Sequence, residues 1–357
     1  MKIVQVVGAR PQFVKLAPIS RLLRQNHTEI IIHSGQHYDI QMNDVFFQEM
    51  LIPAPDYNLN IGSASQAVQT AEILEALEPL LIEHQPDFVI VYGDTNTTLA
   101  AALASSKLGL RTVHVEACLR SFNRAMPEEI NRIVADHVSD ILLCPTSTAM
   151  ANARKEGLLD KCHLVGDIMT DSLKLGLELA SGTDVLKELR LKPREFYLLT
   201  LHRPYNVDSP QILAHILSGL NRLGRQIVFP VHPRTRNVLA SLDPDSYTHI
   251  RFIEPQSYLD FLCLMQASEL ILTDSGGIQK EAYIIRKPCV TLRSETEWLE
   301  TVASGWNLLL PVDSAVFPDK ISGFRVPTEH PDLFGTDVAS KIIALLEKTK
   351  EIADKKE

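Results

Sequence analysis

Three carboxylates in the first half of the chain stand where proton-transfer chemistry can be done. Asp94 lies in Tyr92-Gly93-Asp94-Thr95-Asn96, Glu116 in His114-Val115-Glu116-Ala117, and Glu128 in Met126-Pro127-Glu128-Glu129-Ile130-Asn131-Arg132. A Glu directly behind a β-branched apolar run is costly to bury without a partner. Desolvation of such a group is expected to raise its pKa toward the range a general acid or base uses. Arg120, Arg124 and Arg132 lie among these acids. Plainer roles compete: Asp94 can cap the following helix, and Glu128 and Arg132, four residues apart, can pair on a helix surface.

The second half carries a different chemistry. His202-Arg203, His232-Pro233-Arg234 and Thr273-Asp274-Ser275-Gly276-Gly277-Ile278-Gln279-Lys280-Glu281 each follow an apolar run. A Gly-Gly pair entering a helix exposes backbone N–H groups at the positive end of the helix dipole. With the Ser275 hydroxyl this makes a phosphate cradle. In the first half, Arg10 and Lys15 flank the turn Gly8-Ala9-Arg10-Pro11, where Pro11 suits the first helical turn. The chain holds no G-x-G-x-x-G dinucleotide fingerprint.

These residues need strands to end at them and helices to start after them, and the patterning supplies both. KIVQVV (2–7), EIIIHS, DFVIVYG, TVHVE and ILLCP are short apolar runs, with helical stretches such as Gln66–His84 and Asn96–Lys107 between them. The pattern restarts with FYLLTLH (196–202), QIVFPVH (226–232), HIRFIE (249–254), ELILTD (269–274) and KPCVTL (287–292), spaced by helices such as Gln211–Leu223 and Tyr258–Ala267. This βα alternation predicts an α/β chain of two doubly wound, Rossmann-like domains. The predicted division is 1–168, joined by the amphipathic C-terminal stretch 336–357, and 169–335. Ligands of open parallel sheets bind outside the carboxyl ends of the strands, where all the candidate residues fall. The expected result is a cleft with carboxylates on one wall and the phosphate cradle on the other.

Composition narrows the function classes. The chain has 357 residues, 45% hydrophobic and 22% charged, so it can bury a large core and is not disordered. No run of about 18 apolar residues suggests a membrane span, and the N-terminus turns polar too early for a secretory signal. The net charge of −9 argues against nucleic acid as a partner. Five cysteines, scattered and without C-x-x-C spacing, read as reduced thiols of a cytoplasmic protein, with no metal site.

The segments GARPQFVKLAP, SGQHYD, YGDTNTTLAAALAS, HVEACLRS, MPEEINR, GD-x-M-x-D, TLHR, HPRT and TDSGGIQKEA follow one another in this order from residue 3 to about residue 307. The ordered set resembles the non-hydrolysing UDP-N-acetylglucosamine (UDP-GlcNAc) 2-epimerases. The resemblance implies the two-domain GT-B arrangement, with a C-terminal helix returning to the first domain, and no nicotinamide or metal cofactor. It implies inversion at C2 of the sugar, by elimination of UDP to a 2-acetamidoglucal and re-addition, in a homodimer serving polysaccharide biosynthesis. Asp94, Glu116, Glu128 and His202 match the catalytic positions. Arg10, Lys15, Ser275, Gly276, Gly277 and Glu281 match positions that contact UDP, and Arg132, His232 and Arg234 join this binding set. Gln36 and His37 match positions that bind a second UDP-GlcNAc as an allosteric activator in bacterial members.

The chain departs from the family pattern at several places. Cys118 stands where the family has Gly, so a positive φ there would be strained. Tyr205 replaces an acid of H-R-x-E-N, and Lys280 replaces a common Glu. Thr296-Glu297-Trp298 is similar to epimerases of diacetamido-sugar nucleotides or their uronic acids. Three alternatives therefore stand beside epimerisation: hydrolytic release of N-acetylmannosamine and UDP, a catalytically impaired UDP-sugar binder, and a glycosyltransferase.

Overall fold

A computed structural model describes residues 1–35, 47–313 and 317–355. The chain divides into two units, Met1–Leu175 with Phe334–Glu357, and Gly176–Leu333.

The first unit is built on a seven-stranded sheet of β1 (Lys2–Val7), β2 (Thr28–His33), β3 (Tyr57–Asn58), β4 (Phe88–Tyr92), β5 (Thr112–Val115), β6 (Ile141–Cys144) and β7 (Cys162–Leu164). Their spatial order is β3-β2-β1-β4-β5-β6-β7, and every pairing is parallel. The β-branched runs are buried almost throughout because helices cover both faces. Val4, Val6, Val89, Val91, Leu77 and Leu81 lie in one such core. The order reverses between β1 and β4, so the turns after these strands, Gly8–Arg10 and Gly93–Asp94, form the switch point where ligands of such sheets bind.

The second unit repeats the scheme with β8 (Tyr197–Thr200), β9 (Ile227–Pro230), β10 (Ile250–Ile253), β11 (Leu270–Thr273), β12 (Cys289–Thr291) and β13 (Asn307–Leu309), in the order β10-β9-β8-β11-β12-β13. Its switch point is between β8 and β11, which places His202-Arg203 and the Ser275-Gly276-Gly277 turn side by side. Leu199, Leu217, Ile227, Phe229, Leu272, Val290 and Phe317 fill its core.

β3, β7 and β13 are not among the strands the patterning predicts. Each has only two or three residues, and β3 and β7 are edge strands with partly exposed side chains, so none leaves an apolar run to find. The helix Met169–Ala180 begins inside the first unit, beyond the predicted boundary at 168. Its Ser172 hydroxyl donates to the Val14 carbonyl at 2.8 Å. The last helix, Val338–Asp354, packs on the helix Arg10–Asn26 in the same unit. Asp171 accepts from its Ala339 N–H at 2.7 Å, His27 Nε2 pairs with Glu347 at 2.9 Å, and Lys350 pairs with Asp87 at 2.9 Å.

The sheet also gathers what sequence spacing hides. β6 lies between β5 and β7, so Cys144 at the end of β6, Cys162 opening β7 and Cys118 just after β5 come together, with their sulfurs all within 4.8 Å of one another.

Candidate active site

In the first unit the turn after β1 is clasped by a residue the motif reading passes over. Gln12, buried, accepts from the Gly8 and Ala9 N–H groups at 2.8 and 3.1 Å and donates to the Tyr92 carbonyl and the Thr98 hydroxyl. Two backbone donors at this helix entrance are thereby filled. The positive charge there comes from the side chains: Arg10, exposed at the first helical position, and Lys15, buried one turn on.

Lys15 Nζ meets Glu116 Oε2 at 2.7 Å, with the two side chains 10% and 16% exposed. The carboxylate behind β5 therefore has the partner that burial requires, which removes the premise of an isolated, desolvated Glu. Gly93, beside this pair, takes φ +61°, a conformation that favours glycine.

Asp94 sits at the same switch point. The cap of the next helix is Thr95, whose side chain accepts from Thr98 N–H, so Asp94 is left available for Arg132. Arg132 also reaches Glu129 at 3.1 Å, and Asn131 donates to the Asp94 carbonyl at 2.9 Å. The surface pair Glu128–Arg132 does not form. Glu128 is exposed, while its neighbour Glu129, with a side chain 1% exposed, takes the structural role. Burial would raise the Glu129 pKa, but donors from Ser121 N–H, Ser121 Oγ and Phe122 N–H, with the charge of Arg132, bring it below its ordinary value.

The turn Glu116–Cys118 is strained. Glu116 and Cys118 take φ +68° and +63°, a region costing non-glycine residues on the order of 1–3 kcal/mol. Asp136, fully buried, holds it: Cys118 N–H donates to both its oxygens at 3.2 and 3.1 Å, Arg120 pairs with it at 2.6 Å, and His114 Nδ1 lies 2.8 Å away. His114 Nε2 faces the Gly93 carbonyl at 2.7 Å, so both ring nitrogens face acceptors. Burial would raise the Asp136 pKa, yet His114 and Arg120 hold it below the usual carboxylate value. Arg120 goes on to a bidentate pair with Glu156. One chain of charges thus ties Gly93 and Cys118 to the helix Pro127–Val138.

In the second unit His202, with a side chain 40% exposed, has Nδ1 3.1 Å from Asp274, which is fully buried. Asp274 also accepts from the His202 and Arg203 N–H groups and from Asn206 Nδ2 at 3.0–3.2 Å. Burial pushes its pKa up, and the bonds from His202, Asn206 and Arg203 outweigh that and bring it below the ordinary value. His232 caps the helix Pro233–Leu239, its Nδ1 accepting from Arg234 N–H at 3.2 Å. Burial, then the charges of His202 and Arg234, push His232 below its usual value. Arg234 is exposed and bound by both nitrogens to Asp208 at 2.8 and 2.7 Å, so its charge is largely compensated locally.

Ser275 caps the helix Gly276–Ile284, accepting from Ile278 N–H at 3.5 Å. Gly276 lets a neighbour approach: a Cβ there would come within 1.9 Å of a Glu297 carboxylate oxygen and force that side chain to move, and Glu297 in turn pairs with Arg293 at 2.9 Å. The helix mouth therefore already faces an acidic group, the physical mark of an anion site. Gly277 is exposed and Glu281 half-buried on the same helix. Of the departures, Lys280 is buried with its Nζ 4.6 Å from the Trp298 ring centre, a cation–π contact. Tyr205 and Arg293 line an open pocket of about 450 Å³ with His215 and Asp313.

The structure thus joins Lys15 to Glu116, Asp94 to Arg132, and His202 to the strand end that bears Ser275. Glu128 has no hydrogen bond or ion pair among the described residues, and Gln36 and His37 lie outside them. Gln12, Glu129, Asp136 and Asp274 are the supporting residues that motif reading misses. Asp274 had a signal, a carboxylate closing an apolar strand as Glu116 does. Asp136, mid-helix, had none. Among the described residues no helix is long and apolar enough to cross a membrane.

Residues 21–346 match the UDP-N-acetylglucosamine 2-epimerase family. A Methanococcus maripaludis protein described as a UDP-N-acetylglucosamine 2-epimerase homolog is 48% identical, covering 92% of this chain and 94% of its own. The UDP-2,3-diacetamido-2,3-dideoxy-D-glucuronate 2-epimerase of Pseudomonas aeruginosa is 42% identical over 96% of this chain and 98% of its own. The crystal structure of the Methanocaldococcus jannaschii UDP-GlcNAc 2-epimerase in complex with UDP-GlcNAc and UDP is similar at a TM-score of 0.84 and 40% identity, covering 98% of this chain and 100% of that one.

Proposed function

The chain belongs to the UDP-N-acetylglucosamine 2-epimerase family, and we propose that it inverts C2 of a UDP-linked 2-acetamido sugar, interconverting UDP-GlcNAc and UDP-N-acetylmannosamine or their 3-acetamido or uronic derivatives. The observation that carries this reading is the Lys15–Glu116 pair at the switch point of the first sheet, with Asp94 and Arg132 beside it. The C2 proton of such a sugar is not acidic, so a base can remove it only as the C1–O bond to the diphosphate breaks. A carboxylate of the set Asp94, Glu116 and Glu128 takes the proton, the electron pair forms the C1–C2 double bond, and UDP leaves with the electrons of the C1–O bond. Re-addition of UDP with proton return on the other face completes the inversion. These acids titrate as a coupled group, so the steps belong to the set.

The departing diphosphate is the business of the second unit. His202, oriented by Asp274, donates to it, and the N–H groups opening the helix Gly276–Ile284 receive its oxygens. Arg10, Ser275, Gly277, Glu281 and His232 complete the proposed UDP set. The near-complete overlap with both UDP-GlcNAc and diacetamido-glucuronate epimerases supports the 2-acetamido class as substrate. By the family resemblance the working form is a cytoplasmic homodimer, which light scattering of the purified chain tests directly.

The decisive experiment incubates the protein in deuterated water with UDP-GlcNAc and, separately, with UDP-2,3-diacetamido-2,3-dideoxy-glucuronate. The expected result with at least one is a C2-inverted UDP-sugar carrying deuterium at C2. No exchange and no epimer with either would overturn the proposal. Free N-acetylmannosamine with UDP would place the chain in the hydrolysing branch.

A further inference from the structure

Cys118, Cys144 and Cys162 place their sulfurs within 4.8 Å of one another, with Cys118 and Cys162 3.9 Å apart. They come from three separate sheet positions, and Cys118 and Cys144 are fully buried. Ala117, Leu142, Ala149, Ala153 and Leu158 pack with them as an apolar wall, and Asp136 accepts from the Cys118 N–H at the turn. Cys118 occupies this place at a backbone cost, because its φ of +63° is one that glycine takes freely. A side chain kept at a strained position is a reason to look for what the side chain does.

We propose that Cys118, Cys144 and Cys162 form a three-sulfur site for a soft, three-coordinate cation of the Cu(I) class. Three sulfurs held in a plane at about 2.3 Å from one ion lie about 4.0 Å apart, close to the separation of Cys118 and Cys162. Structural zinc takes four ligands, and among the described residues no fourth Cys, His, Asp or Glu joins this group. Thiol sulfur selects soft ions over hard, oxygen-seeking cations. Each sulfur that ligates releases its proton to solvent. Ligation works against proton-holding influences: the Cys144 contact, burial and Asp136 raise the Cys118 thiol far above its ordinary value, and burial pushes Cys162 up to about 12. The charged group that acts on this cluster is Asp136, itself paired with Arg120 and His114. Cys162 is the partly exposed member and supplies the way in.

The site adjoins the turn that carries Glu116, so loading it acts on the same backbone that Asp136 holds. The test titrates the full chain anaerobically with Cu(I) against a chromophoric Cu(I) chelator, following a sulfur-to-metal charge-transfer band. The expected result is one Cu(I) per chain in the wild type and in Cys263→Ser, and loss of both ion and band in Cys144→Ala. Cys118→Gly, which relieves the backbone and so keeps the fold, should lose them too. Failure of the wild type to compete with the chelator would overturn the proposal. So would binding that persists in Cys118→Gly and Cys144→Ala, or that disappears in Cys263→Ser. Each readout is independent of epimerase activity.

Discussion

At the strand ends of the first unit, Lys15, Arg120 and Arg132 are each locked against acids inside the protein, with side chains 10%, 1% and 16% exposed. At the strand ends of the second unit Asp274 and Arg293 are enclosed, with side chains 0% and 10% exposed, while His202, His232 and Arg234 reach solvent. The difference fits the two tasks that the proposed function assigns to these sets. Proton transfer at carbon needs carboxylates whose orientation is settled before the substrate arrives, because catalysis gains from groups that need not reorganise. Holding a diphosphate needs donors that can desolvate as the ligand enters and release it afterwards. The cost of the first arrangement is a set of buried charges that stay satisfied only as a network.

The contrast can be broken most forcefully at Glu116. Glu116→Gln keeps the shape and removes one of the proposed proton-transfer acids, and should lower turnover by about two to four decades with UDP binding retained. Turnover near wild type would remove Glu116 from the reacting set. Next, Arg120→Ala strips one partner from buried Asp136 and should destabilise the first unit by about 3–5 kcal/mol, read by denaturant unfolding. Acid sharpens the same point. Asp136 and Glu129 both titrate below their ordinary values in the folded chain. Carboxylates depressed in this way add stability that is complete above their unfolded values and is lost as pH falls through the folded ones. Unfolding of the first unit should therefore begin below about pH 4 and move to higher pH in Arg120→Ala.

Asp274→Asn should cost about a hundredfold in turnover by misplacing His202, with a smaller effect on global stability than Arg120→Ala. If it behaves like wild type, His202 does not depend on its buried partner. Cys118→Gly should change stability by less than about 1 kcal/mol, because relief of the left-handed φ offsets glycine's entropy and the lost sulfur packing. The smallest effect is expected for Arg234→Ala. Its guanidinium is already engaged by Asp208 at the surface, so UDP affinity should shift by less than about threefold. A larger loss would show that Arg234 leaves Asp208 for the ligand.

Much of this was legible before any coordinates. The apolar runs with polar turns predict ten of the thirteen strands and both switch-point sets, because a buried parallel strand must be continuously apolar. Lys15 and Glu116 each stand out by residue type at a strand end. Their pairing does not, because it depends on β1, β4 and β5 lying side by side, a fact of sheet order. Gln12, Asp136 and the three-cysteine cluster were hidden for the same reason: partners far apart in sequence meet only through topology. Glu128 and Glu129 show a subtler limit. Two adjacent acids on a helix point about 100° apart, and one residue of register decides which is buried.

The first unit is discontinuous: its last helix, Val338–Asp354, is encoded after the whole of the second unit. During synthesis, Gly176–Leu333 is therefore complete on the ribosome while the helix Arg10–Asn26 still lacks the partner that covers it. The inserted unit can fold first, and the apolar flank of Arg10–Asn26 waits through translation of the entire second half. At about 5–20 residues per second that wait lasts on the order of ten to thirty seconds, during which the nascent first unit is an open hydrophobic surface for chaperones to hold.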